Sequence, residues 1–234
     1  MSTLHFIRHG QAGTRDAYDA LSETGCAQSR LLGEFLAGQR IVFTAAFAGG
    51  MRRQQETAKE VRRVYLDRAL AFPDIVTDSD WNEFDLDGVY NAIAPQLAES
   101  DPEFRRGYDE MRTAMAAGRG DPEASIHRRW TACDIAVVRA WVDGRYAYNG
   151  ETWDAFRQRI GGHPEKFTAF GHDANVAIFT SATPAAIWAA LSLDIADVRV
   201  LELAGVLYNA SVTTLRYRQG QIRLFGFNAI SPAM

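Results

Sequence analysis

Leu4-His5-Phe6-Ile7-Arg8-His9-Gly10-Gln11 carries more of this chain's meaning than any other stretch. A short apolar run ending in Arg-His-Gly reads as a β-strand that delivers a cation, an imidazole and a flexible residue to the carboxyl edge of a sheet. Open α/β sheets build their ligand sites along that edge. A guanidinium beside an imidazole suits an oxyanion such as phosphate. Because such a triplet also arises by chance, the reading depends on matching features downstream.

Strands and helices alternate after this run. Ser22 is placed to cap a helix whose apolar positions Ala27, Leu31, Leu32, Phe35 and Leu36 follow the helical period. Ile41 to Ala48 reads as a second strand, broken by Gly49-Gly50 before a helix from about Met51 to Tyr65. Val176-Ala177-Ile178-Phe179-Thr180 is a continuous apolar run, the pattern of a strand covered on both faces. Pro184 then opens a helix through Leu191. Val198–Leu203, Ser211–Tyr217 and Ile222–Phe227 read as closing strands, the last two joined in a hairpin around Gln219-Gly220. This order predicts a three-layer α/β sandwich with a mostly parallel central sheet and helices on both faces.

Between about 84 and 150 the pattern turns helical, broken at Asp101-Pro102, Gly118-Arg119-Gly120-Asp121-Pro122 and Asp143-Gly144. We read residues 1–234 as a single domain carrying a helical insertion there, of the kind that covers an active site. The Arg-Gly-Asp tripeptide within it reads as a plain turn.

The 234 residues are 47 % hydrophobic, enough for one sizeable core. Lys and Arg number 25 against 29 Asp and Glu, a formal net charge of −4. That balance predicts no nucleic-acid or membrane partner, so any anion binding is local. The two cysteines, Cys26 and Cys133, lack metal-type spacing and read as reduced, buried thiols. With no secretory pattern at the amino terminus and no apolar run of membrane-spanning length, the expectation is a soluble cytoplasmic protein. The sequence carries no signal of oligomeric state.

Five ordered segments resemble the histidine phosphatase superfamily, which includes the phosphoglycerate mutases. They are Arg8-His9-Gly10; Leu21-Ser22-Glu23-Thr24-Gly25 with Gln28; Gly50-Met51-Arg52-Arg53 with Thr57-Ala58; Glu83 within Trp81-Asn82-Glu83-Phe84; and Asn209-Ala210-Ser211-Val212-Thr213. The resemblance implies a phosphoglycerate mutase-like fold and a phosphohistidine mechanism without metal or other cofactor. It makes His9 the nucleophile, Arg8 and Arg53 the phosphate-binding cations and Glu83 the proton donor. The spacing to Thr57-Ala58 selects Arg53 over Arg52. Chemically the set is coherent: phosphoryl transfer needs an in-line nucleophile and positive groups around the equatorial oxygens. Forked guanidinium groups and a neutral imidazole supply both.

Each role has a plainer competitor. Arg53 resembles the surface arginines Arg52, Arg62 and Arg63, while Asp80, Asp85 and Asp87 are acidic rivals of Glu83. His5, His127, His163 and His172 read as structural or surface residues. Arg105-Arg106 and Arg128-Arg129 suit an acidic substrate or, more simply, solvated helix faces.

One departure stands out. The family generally presents Ser-His-Gly after its fourth strand, where this chain reads Thr180-Ser181-Ala182-Thr183-Pro184. Ala182 thus stands where a second phosphoryl-holding histidine is expected, and Ser181, Thr183 and a helix N-terminus are the remaining anion-binding groups there. The resulting expectation is a phosphomonoester hydrolase acting through His9 with reduced activity, on a small phosphorylated substrate. The alternatives are a catalytically silent phospholigand-binding protein and, third, a mutase. The mutase branch usually continues Arg-His-Tyr-Gly after its acidic residue, whereas Glu83 is followed by Phe84-Asp85-Leu86-Asp87.

Overall fold

The apolar run at the amino terminus is a strand, and its last residue is Arg8. In the computed structural model, which describes residues 1–14, 18–118 and 131–233, the chain runs β1 (Ser2–Arg8), α1 (Glu23–Gly38), β2 (Ala45–Ala48), α2 (Arg52–Asp67) and β3 (Ile75–Thr77). A 3-10 turn at Ser79–Trp81 leads to α3 (Leu86–Ser100), α4 (Pro102–Ala117), α5 (Ala132–Val142) and α6 (Trp153–Gly161). After a second 3-10 segment, Pro164–Phe170, come β4 (Asn175–Thr180), α7 (Ala182–Leu193), α8 (Val200–Val206), β5 (Val212–Arg218) and β6 (Gln221–Ala229).

The chain divides into two compact units. The first holds Met1–Gly13, Tyr18–Glu83 and Arg157–Met234, and the second holds Thr14–Ala17 and Phe84–Phe156. The six strands of the described residues lie in the first, in the order β3-β2-β4-β1-β5-β6, with the pairs among β3, β2, β4 and β1 parallel and the β1–β5 and β5–β6 pairs antiparallel. Strand pleating sends Ile7, Ala46, Ala177 and Phe179 into one core with Leu32 and Leu36 of α1 and Ala58, Val61 and Tyr65 of α2. On the opposite face Phe6 stacks on Trp188 of α7, with ring centroids 5.3 Å apart. The result is the expected α/β sandwich with a mostly parallel sheet. β4 is buried along nearly its whole length because it lies between β2 and β1 with both faces covered.

Close approach of backbones seats the loop after β1. A Cβ on Gly10 would lie 2.4 Å from the Gly25 carbonyl oxygen, and one on Gly25 would lie 2.1 Å from that of Gln11. Ser22 caps α1 by accepting the Gly25 N–H at 3.0 Å.

Three expected elements differ. Val198–Leu203 is not a strand: it spans a 3-10 turn at Asp197–Arg199 and the start of α8. Its β-branched valines suggested a strand, but Leu-Glu-Leu-Ala are helix formers, Val200 supplies the buried contact, and Arg199 pairs with Glu202 at helical spacing. The second strand covers only Ala45–Ala48, because the Tyr65 hydroxyl claims the Ile41 carbonyl at 3.0 Å and Arg40 takes a positive φ of 56°. α7 begins at Ala182, two residues before Pro184, which falls in the first turn where no intrahelical N–H is needed.

The second unit has its own aromatic core. Phe84 stacks on Trp141 at 4.6 Å, and Trp153 and Phe156 complete the cluster. Among the described residues no helix is long and apolar enough to cross a membrane. Both cysteines are free thiols, Cys133 buried and Cys26 only partly so.

Candidate active site

Arg8 ends β1 and His9 follows it, between the ends of β4 and β5. The His9 N–H donates to the Thr180 carbonyl at 2.9 Å, while its own carbonyl accepts the Ala210 N–H at 3.1 Å and the Asn209 amide at 3.3 Å. Two other chain segments, the end of β4 and the turn at Asn209-Ala210, therefore fix this backbone. The ring is set equally closely, since His9 Nδ1 lies 2.7 Å from the Gly10 carbonyl oxygen, which can only accept. Nδ1 therefore carries the proton, and Nε2 presents its lone pair.

Arg53 reaches that lone pair from α2, donating from Nε to His9 Nε2 at 3.2 Å. Helical spacing explains how it gets there. Thr57, one turn later, accepts the Gly10 N–H at 3.0 Å and donates to the Arg53 carbonyl at 2.8 Å, tying the helix to the loop after β1. The structure thus brings Arg53 beside His9, whereas Arg52 is exposed and paired with Glu56.

Burial and the charges of Arg53 and Arg8 push the His9 imidazole well below its usual value, only partly opposed by the Gly10 carbonyl. His9 is accordingly neutral at pH 7, the form a nucleophile requires. Arg8 donates from Nη1 to the Leu207 carbonyl and is hydrogen-bonded to the Tyr18 phenol. Burial lowers its basicity, and the nearby Tyr18 and Glu83 partly restore it. Among the described residues its buried Nε has no partner.

Glu83 follows the 3-10 turn and reaches the N-terminus of α7, where its Oε2 accepts the Thr183 N–H at 3.1 Å. Its acidic rivals are engaged elsewhere. Asp80 lies 3.8 Å from Lys166, Asp85 caps α3, and Asp87 is exposed in the first turn of that helix. Ser181 is buried and accepts from Gln54 Nε2 at 2.8 Å, and Thr183 is likewise buried. Ala182 between them is half-buried.

Tyr18, Asp19 and Gln54 were not singled out from the sequence. The Arg53 guanidinium carbon lies 4.8 Å from the centre of the Tyr18 ring, which also stands perpendicular to the His9 imidazole with centroids 6.4 Å apart. Asp19 Oδ1 accepts from Arg53 Nη1 at 3.2 Å and from the Arg52 N–H at 3.1 Å. Gln54 lies three residues before Thr57 on α2 and shares a face with it, next to the one that carries Arg53. His5 packs against Phe43, and His163 and His172 are exposed. Arg105 and Arg106 lie on the surface of α4. His127, Arg128-Arg129 and the Arg-Gly-Asp tripeptide fall outside the described residues.

Sheet and site together define an α/β protein that gathers a neutral imidazole, two guanidinium groups and a carboxylate at the carboxyl end of its central strands. The chain belongs to the histidine phosphatase superfamily (branch 1), matched over residues 4–139. Its fold is similar to that of YhfR from Bacillus stearothermophilus, at 20 % identity and a TM-score of 0.63 over 99 % of this chain and 98 % of that one. It is also similar to the mycobacterial glucosyl-3-phosphoglycerate phosphatase complexed with VO3, at 19 % identity and a TM-score of 0.62 over 98 % and 100 %. A phosphoserine phosphatase mutant from Entamoeba histolytica, in complex with phosphoserine, shares 13 % identity with a TM-score of 0.60 over 98 % of each chain. No curated protein sequence matches this chain.

Proposed function

We propose that the protein is a metal-independent phosphomonoester hydrolase that forms a phosphohistidine on His9. The reading is carried by one observation: the His9 Nε2 lone pair, on a ring held neutral by burial, faces the Arg53 guanidinium with Arg8 close by. A phosphoryl group entering between the arginines takes over their N–H donors and frees Nε2. Nε2 then attacks phosphorus in line as the P–O bond to the leaving group breaks, and the Gly10 carbonyl steadies the ring as it gains charge.

With Glu83 Oε2 held by the Thr183 N–H, Oε1 carries the proton that passes to the leaving oxygen. In the second half, Glu83 takes a proton from water, the resulting hydroxide displaces His9 from phosphorus, and phosphate leaves. Ala182 occupies the place of the family's second histidine in this reading. Losing one preorganised donor lowers the rate by roughly two to three orders of magnitude. Ser181 and Thr183 serve as phosphoryl contacts in its stead. A hydroxyl that accepts from Gln54, as Ser181 does, still has its own proton to donate. Residues 84–150 form the insertion of this one catalytic domain, and the substrate is a small phosphorylated molecule of the cytoplasm.

The position of Ala182 also favours a second reading, a silent binder of phosphorylated ligands. A screen over sugar phosphates, nucleotides, phosphopeptides and an activated aryl phosphate, with chelator present and His9→Ala as background, separates the two. Hydrolysis lost in His9→Ala, with an acid-labile phosphate on His9 trapped by alkaline quenching, is expected. Undiminished turnover in His9→Ala, or activity abolished by the chelator, overturns the proposal. Saturable phosphate binding without turnover identifies the binder.

A further inference from the structure

We propose that Arg159, on α6, is the positioning residue for Glu83. Its Nη1 donates to the Ser79, Asp80 and Asn82 carbonyls at 3.1, 3.0 and 3.2 Å, gathering the 3-10 turn and the residue that caps it, Asn82, directly before Glu83. The remaining carbonyl of that turn, on Trp81, accepts from the Thr180 hydroxyl at 2.6 Å and from Gln54 at 3.2 Å. Four successive carbonyls are thereby held, three of them by a single cation. Carbonyls that converge at the end of a helical turn carry partial negative charge, which a guanidinium matches. Asn82 anchors the same segment to the β2–α2 turn by accepting the Gly50 N–H at 2.6 Å.

Glu83 follows directly on this clamped backbone, and the Thr183 N–H holds its carboxylate. Arg159 thus sets the position of a proton donor it does not replace. Removing it lets the turn drift, and a displacement of about 1 Å at a proton donor costs up to ~100-fold in rate.

This inference rests on the reading of Glu83 as the proton donor, and leaving-group dependence tests the two separately. An alkoxide requires protonation as it departs, whereas an activated aryl oxide leaves without help. In Arg159→Met, kcat/KM for alkyl phosphates is expected to fall about 10- to 100-fold, while that for an activated aryl phosphate changes less than about twofold. Vanadate affinity, set by Arg8, His9 and Arg53, is expected to stay constant. Arg159→Lys, which keeps the charge and three donors, should restore much of the alkyl rate.

Equal losses on both substrates, or no loss on either, overturns the role of Arg159. If Arg159→Met fails to fold, Arg159→Gln is read by the same criterion. Glu83→Gln is the control: if it shows no leaving-group dependence, the proton-donor reading itself fails, whatever Arg159 does.

Discussion

The hold of Asp19 on Arg53 puts a carboxylate against a guanidinium that the proposed chemistry needs for phosphate. Asp19 is 64 % exposed and Arg53 8 % exposed at their side chains, so the pair is partly screened and contributes ~1 kcal/mol at most. Asp19→Asn removes a negative charge from the neighbourhood of an incoming dianion. Calorimetric titration with vanadate should show binding about fivefold tighter in this variant, the equivalent of ~1 kcal/mol. Unchanged or weaker binding would mean that Asp19 orients Arg53 and does not compete for it. At this scale much of the site was legible: Arg8 and His9 fall at a strand end, and one helical turn separates Arg53 from Thr57. Tyr18 and Asp19 were not, because they reach the site from an irregular loop whose contacts follow no sequence period.

Among the elements, α2 is tied to Gly10, in the loop after β1, through a single hydroxyl. The Thr57 hydroxyl satisfies the buried Gly10 N–H and the Arg53 carbonyl together, so Thr57→Val leaves the N–H without its partner at nearly unchanged volume. Denaturant unfolding is expected to show a loss of ~1–3 kcal/mol, with Thr57→Ser largely restored. A loss confined to catalysis would show that the hydroxyl serves the site alone. The elements were legible where burial is periodic or continuous, as in α1 and β4. β3 escaped notice because it is three residues long and half open to solvent, too short to display a pattern. α8 misled because valine content says strand, whereas this short helix buries only Val200 where it packs against α7 and leaves Val206 exposed.

For the whole molecule, two buried histidines couple stability to pH. Burial lowers the basicity of His5 and of His9, with Arg53 and Arg8 adding to the effect at His9. Above about pH 6.5 both rings are neutral whether the chain is folded or not, so they contribute no pH dependence. Below that value the unfolded chain takes up protons that the folded chain refuses, and stability falls with pH until the folded-state values are reached. Each such histidine adds up to ~1.4 kcal/mol per pH unit to the slope. Unfolding measured between pH 7 and 5 should show this decline, and His9→Gln should flatten it. An identical slope in the variant would indicate that His9 protonates readily in the folded state. Saturating phosphate should also flatten the slope, since a bound dianion favours the imidazolium. The sheet order that creates this burial was legible only as a class, because strand neighbours are set by long-range pairing that one sequence does not display.

In the proposed mechanism, the hydrogen bond from Arg53 Nε to His9 Nε2 stoppers the nucleophile in the free protein. A nitrogen whose lone pair is already occupied offers little to acylating reagents or stray transition-metal ions, the usual poisons of an exposed imidazole. In that mechanism a phosphoryl oxygen, in contrast, draws the guanidinium to itself and uncovers the nitrogen as phosphorus comes within range. Discrimination among electrophiles thus begins before any leaving group is recognised, with the substrate's own charge acting as the key.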